Sequence, residues 1–466
     1  MARSVFNPAL KEALWGRYGK LIIITFPHEK KSGVFVGYRT HYISDAKKLI
    51  GSEVTLAGWV HEVRDLGKLK FVQLRDQTGI IQVTAKLGRE PDAALAAMSQ
   101  PKETVVQVKG KVAESKMADS GCEFIPSEFI VLNELSAKVP FEVTGKVPAE
   151  LDVRLDNRSV DMRTTKTAAI FRIRSVIANA FREKALQLGC TEIQTPCIVE
   201  AATEGGADLF KVQYFEKEAY LVQSPQLYKQ LCVIGGMDRV FMTVPVFRAE
   251  KHNTLTHLNE ATQMDIEAAF ITPEEAIDML EAATIHCLMR VKEKCASELA
   301  ILGRDLQVPS KIPRHTYTEL VEKLNAAGEK FEWGSDFSRE TEAKLVEVLG
   351  YATYFITKWP TAIRAFYSMP SEEDPKICNA YDLNYEGLEI SSGAERVHKP
   401  DVLINQLKSR GLNPEDFSFY VNAFRVGAPP HCGWSIGMDR LTMKVCGLHN
   451  IREAVLFPRD RVRVKP

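Results

Sequence analysis

Neither sign of charge is in excess: 60 Lys and Arg stand against 60 Asp and Glu in 466 residues. A globally basic field is therefore absent, and any nucleic-acid contact must use a local patch. Two nucleotide-binding signatures are also missing. The chain has no GxxxxGK(S/T) and no GxGxxG, so a nucleotide would have to be held by something other than a P-loop or a Rossmann turn. No two of the nine cysteines (122, 190, 197, 232, 287, 295, 378, 432 and 446) stand at CxxC spacing. That pattern supports neither a zinc site nor a disulfide framework, and it fits a reducing cytoplasm. The only apolar run near the N-terminus, Leu21 to Phe26, is too short to span a bilayer and lacks a small-residue cleavage site. A soluble cytoplasmic enzyme without a membrane partner is expected, with two or more domains because 466 residues exceed what one core usually supports.

What is present divides along the chain. From Glu53 to Asn133 the runs are short and strand-like: Val54 to Val60, Leu69 to Asp76, Gly79 to Thr84, Val105 to Gly110 and Glu123 to Leu132, with a helix-prone stretch from Pro91 to Met98 after the third. Five strands with a helix between the third and fourth is the order of an OB-type Greek-key barrel, assigned here to residues 38–137. Residues 138–162 carry Pro140, Pro148 and charges without period, which reads as a hinge, and 163–466 as a second domain. Within it, Ala168 to Gly189 is apolar at helical spacing. Strand-like runs follow at Arg239 to Arg248, Tyr354 to Thr357 and Cys378 to Ile390, an α+β pattern rather than repeating βαβ units. Residues 1–37 read as an extension without packed structure, and no function is assigned to them.

Three segments carry chemistry. Val246 to Asn253, with Thr256-His257-Leu258 and Gln263 to Phe270, reads as a hairpin with Arg248 at a strand end and Asp265 and Glu267 on one face of the return strand. An Arg so placed suits bidentate contact with phosphate or carboxylate, and acids two apart suit a metal or an ammonium; a salt-bridged surface hairpin has the same pattern. Asp382 to Arg396 offers Glu389 and Ser392 as oxygen ligands for Mg²⁺, which prefers few protein oxygens plus substrate phosphates. Gly433 to Met443 is a small-residue turn entering a helix, with Arg440 in the first turn able to reach a phosphate or a purine ring; a plain strand-turn-helix reads the same way.

In order and wording these segments resemble motifs 2 and 3 of the class II aminoacyl-tRNA synthetases, and the helix ending at Gly189 to Pro196 resembles motif 1. With the barrel, Thr203 to Gly206, Ser224 to Lys229, Ile390 to Arg396 and the ending Asn450 to Asp460, the chain looks like the archaeal-type aspartyl-tRNA synthetases from about Tyr38 onwards. The resemblance implies a catalytic domain on an antiparallel sheet flanked by helices, and a homodimer. It also implies attack of L-aspartate on ATP, with Mg²⁺, to give an aspartyl-adenylate that is transferred to tRNA. Arg248, Glu389 and Arg440 would be catalytic. ATP would meet Arg248, Ala249, Glu250, Thr256, His257, Leu258, Glu389 and Gly437 to Arg440 (Gly437, Met438, Asp439, Arg440). Aspartate would meet Glu204, Gln226, Leu227, Tyr228, Lys229, Arg248, Asp265, Ser392 and Arg396, and Mg²⁺ would meet Glu389, Ser392 and Glu267.

Lys229 is the main reason to choose aspartate, because asparaginyl relatives lack that lysine and a buried carboxylate needs cations. In the barrel, Phe71 would stack on an anticodon base, with Gln82 and Glu123 at its edge and Arg64, Lys68, Lys70 and Arg75 at phosphates. His61 stands where relaxed members, which charge both tRNA(Asp) and tRNA(Asn), carry histidine. The second discriminating position aligns with Ala118-Asp119 and shows neither family pattern. Relaxed charging would call for an amidotransferase acting on Asp-tRNA(Asn). Three departures stand out: Thr256 where arginine is usual, and Cys432 and Ser435 where glycines are common. The alternatives are a strict aspartyl enzyme, an asparaginyl enzyme, and a silent RNA-binding paralogue; the last would have lost Arg248, Glu389 or Arg440.

Overall fold

The computed structural model describes residues 37–118, 120–200, 209–251 and 253–466. The chain divides into two compact units, residues 1–138 and 139–466. The first is a closed five-stranded barrel of β1 (Glu53–Asp65), β2 (Leu69–Asp76), β3 (Gly79–Lys86), β4 (Val105–Glu114) and β5 (Cys122–Asn133), ordered β1-β2-β3-β5-β4, with helix α1 (Asp92–Ala97) between β3 and β4. Alternate residues Val54, Leu56, Val72, Leu74, Ile81, Val83, Val106 and Val108 fill its interior. A bulge between Val60 and Glu62 interrupts the β1–β2 ladder at His61.

In the second unit the stretch read as a hinge contains two short helices, Leu151–Asp156 and Arg158–Asp161, and buries Arg158 against Asp161. Helix α2 (Thr165–Gln187) forms because Ile170, Ile173, Ile177, Ala180 and Phe181 recur on one face, and the Thr164 side chain caps it by accepting from Thr167 N–H. It covers an eight-stranded sheet built from β6 (Thr191–Glu192), β7 (Arg239–Phe247), β8 (Glu260–Ala269), β9 (Arg314–Thr316), β10 (Tyr354–Pro360), β11 (Ile377–Tyr385), β12 (Leu388–Glu395) and β13 (His431–Gly437). The order is β9-β10-β11-β12-β13-β8-β7-β6, with only β9–β10 and β7–β6 parallel. The remaining helices used below are α3 (Gln226–Ile234), α4 (Ser418–Arg425) and α5 (Met438–Val445).

The run from Cys378 to Ile390, read as one strand, is two. Glu386 and Gly387 both take positive φ, 48° and 72°, and turn the chain back between β11 and β12. That hairpin faces one end of Ser392 towards Asp382 while the other edge of β12 pairs with β13, so one transverse row crosses four strands: Asp265, Ser435, Ser392 and Asp382. The parallel row next to it holds Glu267 and Gly433. The site is built on these two rows.

Candidate active site

Helix α3 turns Gln226, Lys229 and Gln230 to the same side, where all are buried. Lys229 Nζ lies 2.8 Å from Asp265 Oδ1 and 3.4 Å from Glu267 Oε2. Arg396 donates from Nε to Glu267 Oε1 at 2.9 Å and from Nη2 to Gln226 Oε1 at 3.1 Å; Gln226 Nε2 in turn donates to Glu267 Oε2 at 3.3 Å. Two cations and two anions thus pair directly with each other, the arrangement that makes buried charge tolerable. Burial alone would raise the Glu267 carboxyl, but Arg396 and Lys229 outweigh it and hold it below the ordinary range. Burial wins at Asp265, which is raised despite Lys229. Gly433 is required beside them, because a Cβ there would stand 2.0 Å from Glu267 Oε2.

Three residues expected at this end have other protein partners. Leu227 packs into an apolar cluster with Phe366, Tyr420 and Phe424, and Tyr228 stacks on Phe419 at 6.4 Å, because the helical period turns both away from Lys229. Glu267, expected to help hold Mg²⁺, has both its oxygens on Arg396, Lys229 and Gln226 and lies a row away from Ser392. Glu204 lies outside the described residues.

The nucleotide end is more open. A cavity of about 150 Å³ is lined by Arg248, Glu250, Thr256, His257, Leu258, Glu389, Ser392, Gly437, Asp439 and Arg440. The Arg248 side chain is 41% exposed and stands 3.8 Å from Glu250. Arg440 donates from Nη1 to the Glu389 carbonyl at 2.9 Å and from Nη2 to His257 Nε2 at 3.2 Å, and an Arg can only donate. The other His257 nitrogen, Nδ1, therefore gives its hydrogen to Thr254 Oγ1, 2.6 Å away. Burial and then Asp382 raise the Glu389 carboxyl, which gives it reason to take a cation. Asp382 itself is held by Arg364 in a bidentate pair at 2.7 and 2.8 Å, and Arg364 also reaches Ser392 Oγ at 2.6 Å.

Three other residues expected at ATP have the following surroundings. Ala249 lines a neighbouring groove with Lys251 and Arg461 instead of this cavity. The Met438 side chain is part of the core. Asp439 lines the cavity but spends its carboxylate on Arg174 of α2, 2.5 Å away, and on Thr262 N–H.

On the barrel, Phe71 and Thr84 face each other across β2 and β3, and Gln73 faces Gln82. Thr84 Oγ1 donates to Glu123 Oε2 at 2.6 Å, with Gln82 Nε2 3.4 Å from the same oxygen. Phe71, Gln82 and Glu123 thus share one half-exposed outer face. His61 does not share it: at the bulge it is buried, and its Nδ1 is 2.8 Å from Arg75 Nη1, while Arg75 makes a bidentate pair with Glu103 at 2.7 and 2.9 Å. Arg75, expected at a phosphate, is consequently unavailable to one; Arg64 and Lys68 remain exposed and Lys70 is paired with Asp65 at 3.1 Å. Asp119 lies outside the described residues.

A family model described as class II tRNA synthetases for D, K and N matches residues 150–461, and one described as an OB-fold nucleic acid binding domain matches 54–132. The chain belongs to the class II tRNA synthetase family. Among its relatives are the Aspartate--tRNA(Asp/Asn) ligases of Methanocaldococcus jannaschii, 47% identical over 92% of this chain and 98% of that one, and of Methanothermobacter thermautotrophicus, 48% identical over the same shares. Solved structures it resembles include the asparaginyl-tRNA synthetase of Pyrococcus horikoshii with asparaginyl-adenylate, at TM-score 0.86 and 32% identity, covering 91% of this chain and 99% of that one. Another is the aspartyl-tRNA synthetase of Entamoeba histolytica, at 0.81 and 29%, covering 94% of each. Among the described residues no helix is long and apolar enough to cross a membrane.

As a class II synthetase the chain shows what its departures do. Ser435, where glycine is common, gives Asp265 Oδ2 a hydroxyl donor at 3.2 Å. Cys432 is buried with Sγ against the Ile271 carbonyl. Thr256 is buried, and its N–H bonds to Thr254 Oγ1. Sequence reasoning missed Arg364, Arg174 and Arg452, each of which fixes a site element from a distance in the chain. Arg364 sits in an irregular segment with no period, so nothing in its surroundings flags it.

Proposed function

We propose that this synthetase activates L-aspartate with ATP and esterifies it to tRNA(Asp) and tRNA(Asn), working as a cytoplasmic homodimer through the motif 1 helix α2. The observation that carries the reading is the buried cluster of Lys229, Arg396, Asp265 and Glu267. Lys229 and Arg396 already have protein partners, so an entering side-chain carboxylate shares them with Asp265 and Glu267. Arg396 spends Nε and Nη2 on Glu267 and Gln226, which leaves the two Nη1 hydrogens and the third Lys229 hydrogen for a ligand. A carboxylate accepts from all of these. The amide of asparagine would turn N–H groups towards donors, a mismatch on the order of several kcal/mol when buried. The names of the archaeal relatives agree with both the amino acid and the pair of tRNAs.

Activation needs no protein nucleophile: the α-carboxylate of aspartate attacks the α-phosphorus of ATP, and pyrophosphate leaves. The chain's part is alignment and charge neutralisation. Arg248, at the end of β7, would bind the α-phosphate and the α-carboxylate together, and Glu250 the adenine amino group. Arg440, fixed by the Glu389 carbonyl and His257, would cover the purine and the outer phosphates. Glu389 and Ser392 would hold Mg²⁺, which supplies charge neutralisation for the phosphates when bound. A single half-buried carboxylate with raised pKa suits an ion that brings its own phosphate ligands, and among the described residues no three acids, histidines or cysteines are grouped to cage a metal alone. Phe71, Gln82 and Glu123 would read an unstacked anticodon base. Asp-tRNA(Asn), where made, would be the substrate of an amidotransferase.

Separate transcripts of tRNA(Asp) and tRNA(Asn), charged with labelled aspartate and with labelled asparagine, test all of this at once. Aspartate on both transcripts and asparagine on neither is expected. Aspartate on tRNA(Asp) alone would remove His61 as a marker of relaxed charging, and asparagine on either would overturn the reading of the Lys229 cluster.

A further inference from the structure

Behind the amino-acid pocket three buried polar side chains form a chain that the reaction itself does not use. His431 Nδ1 is 2.8 Å from the Pro429 carbonyl, its Nε2 is 2.9 Å from Gln230 Nε2, and Tyr420 OH donates to Gln230 Oε1 at 2.9 Å. All three residues are at 0% exposure. The proton positions follow from the partners. A carbonyl only accepts, so His431 carries its hydrogen on Nδ1; burial keeps the ring neutral, so Nε2 is bare. Gln230 must then present its NH₂ to that nitrogen and its oxygen to Tyr420.

The same residue grips the pocket through its backbone. His431 O accepts from Arg396 N–H at 2.8 Å, and Gly433, two residues along β13, lies opposite Glu267. Gln230 is the neighbour of Lys229 on α3. One residue therefore joins the helix that carries Lys229 and Gln226 to the strand ends that carry Arg396 and Glu267, and it does so on the side away from the nucleotide cavity.

We infer that His431, fixed as the Nδ1–H tautomer, is a positioning residue for amino-acid recognition, setting the distance between Lys229 and Arg396 through Gln230. The inference rests on the aspartate reading above. Loss of the link would let α3 shift against the sheet, which weakens contact with the amino acid while leaving Arg248, His257 and Arg440 in place.

Pyrophosphate exchange with the full-length chain, measuring KM for aspartate and for ATP separately, provides the test. His431→Leu is expected to raise the aspartate KM by about tenfold, the scale of one buried hydrogen bond, with the ATP KM within about twofold of wild type. His431→Gln, which can accept from Gln230 and donate to the Pro429 carbonyl, should recover most of the loss. Equal increases in both KM values, or none in a folded His431→Leu protein, would overturn the inference. Should that variant not fold, the imidazole ¹⁵N spectrum of histidine-labelled wild type decides: a protonated Nδ1 with bare Nε2 at His431, assigned by the signal missing from His431→Gln, is expected, and the opposite tautomer sinks the idea. A wild-type enzyme that does not activate aspartate would break the functional reading instead, and the tautomer measurement would still stand.

Discussion

Lys229 and Arg248 are both basic and both assigned to substrate, yet their surroundings differ in almost every physical respect. Lys229 is 1% exposed and paired with two carboxylates, whereas the Arg248 side chain is 41% exposed with one carboxylate 3.8 Å away. The amino-acid end is finished before ligand arrives: its charges are desolvated, neutralised and held by Gln226, Ser435 and Gly433. Such a pocket discriminates by hydrogen-bond polarity, because the desolvation cost is already met by the fold. The other end leaves Arg248 largely in solvent while Arg440 is held by the Glu389 carbonyl and His257, and on the proposed function ATP, with its own charges and metal, would draw Arg248 in. Selectivity and capture are thus divided between two ends of one sheet.

The comparison breaks most sharply at Lys229. Lys229→Met should cost about 3–5 kcal/mol of stability, since buried Asp265 would keep only the Ser435 hydroxyl, and Glu267 only Arg396 and Gln226. Thermal unfolding reads this directly, and aspartate-dependent exchange should fall by about three orders of magnitude even at temperatures where the variant is folded. A variant as stable as wild type would show that the cluster is more hydrated than its burial implies. Arg248→Ala is the counterpart at the open end. Exchange should drop by roughly two to three orders of magnitude through kcat, as when one transition-state donor is removed. The melting temperature should hardly move, because a half-exposed side chain is being truncated. A large loss of stability with Arg248→Ala would erase the distinction between the ends.

Geometry alone can also be perturbed. Gly433→Ala keeps every charge but puts a methyl 2.0 Å from Glu267 Oε2 and 2.6 Å from the Ile266 carbonyl. Overpacking of this kind costs about 1–3 kcal/mol. The aspartate KM should rise about tenfold or more while the ATP KM is unchanged. If both rise together, the two ends are not separable as described.

How far the sequence disclosed this division depends on the residue. Barrel strands and helix α2 were legible because alternation and the 3.6 period come from the same burial that forms them. Lys229, Asp265 and Arg396 are singled out through the family resemblance, and the fold brings them into one buried cluster with Glu267. The β11–β12 turn was not, since Glu386 carries no turn signal beyond the glycine that follows it. Leu227 and Tyr228 belong to the same contiguous motif as Lys229, yet a helix sends consecutive side chains about 100° apart, and their apolar and aromatic neighbours are set by that period. Arg75 was read as a surface cation because no local pattern shows that Glu103, 28 residues on, folds against it. Pairings across such distances are set by topology, which spacing does not encode.

The smallest effect is expected where the chain's last residues hold the nucleotide loop. Arg452 donates from Nη1 to the Thr254 carbonyl at 3.0 Å, contacts Asn253 Oδ1 from Nη2 and pairs through Nε with Asp460 at 2.5 Å. Ile451 N–H adds a bond to the Leu255 carbonyl at 2.9 Å, and Arg461 reaches the Lys251 carbonyl at 3.0 Å. The Thr254 hydroxyl so positioned accepts from His257, which accepts from Arg440. The tail would therefore act on ATP through this relay and through Ile451, which lines the same cavity, and among the described residues none of these contacts is to Lys229, Asp265, Glu267 or Arg396. Arg452→Ala should raise the ATP KM about fivefold to tenfold, the worth of roughly one net hydrogen bond, and leave the aspartate KM as it was. Arg452→Lys can keep one of the donors and should fall between. An aspartate KM that rises as much as that for ATP would mean that the tail supports the whole sheet and not the loop alone.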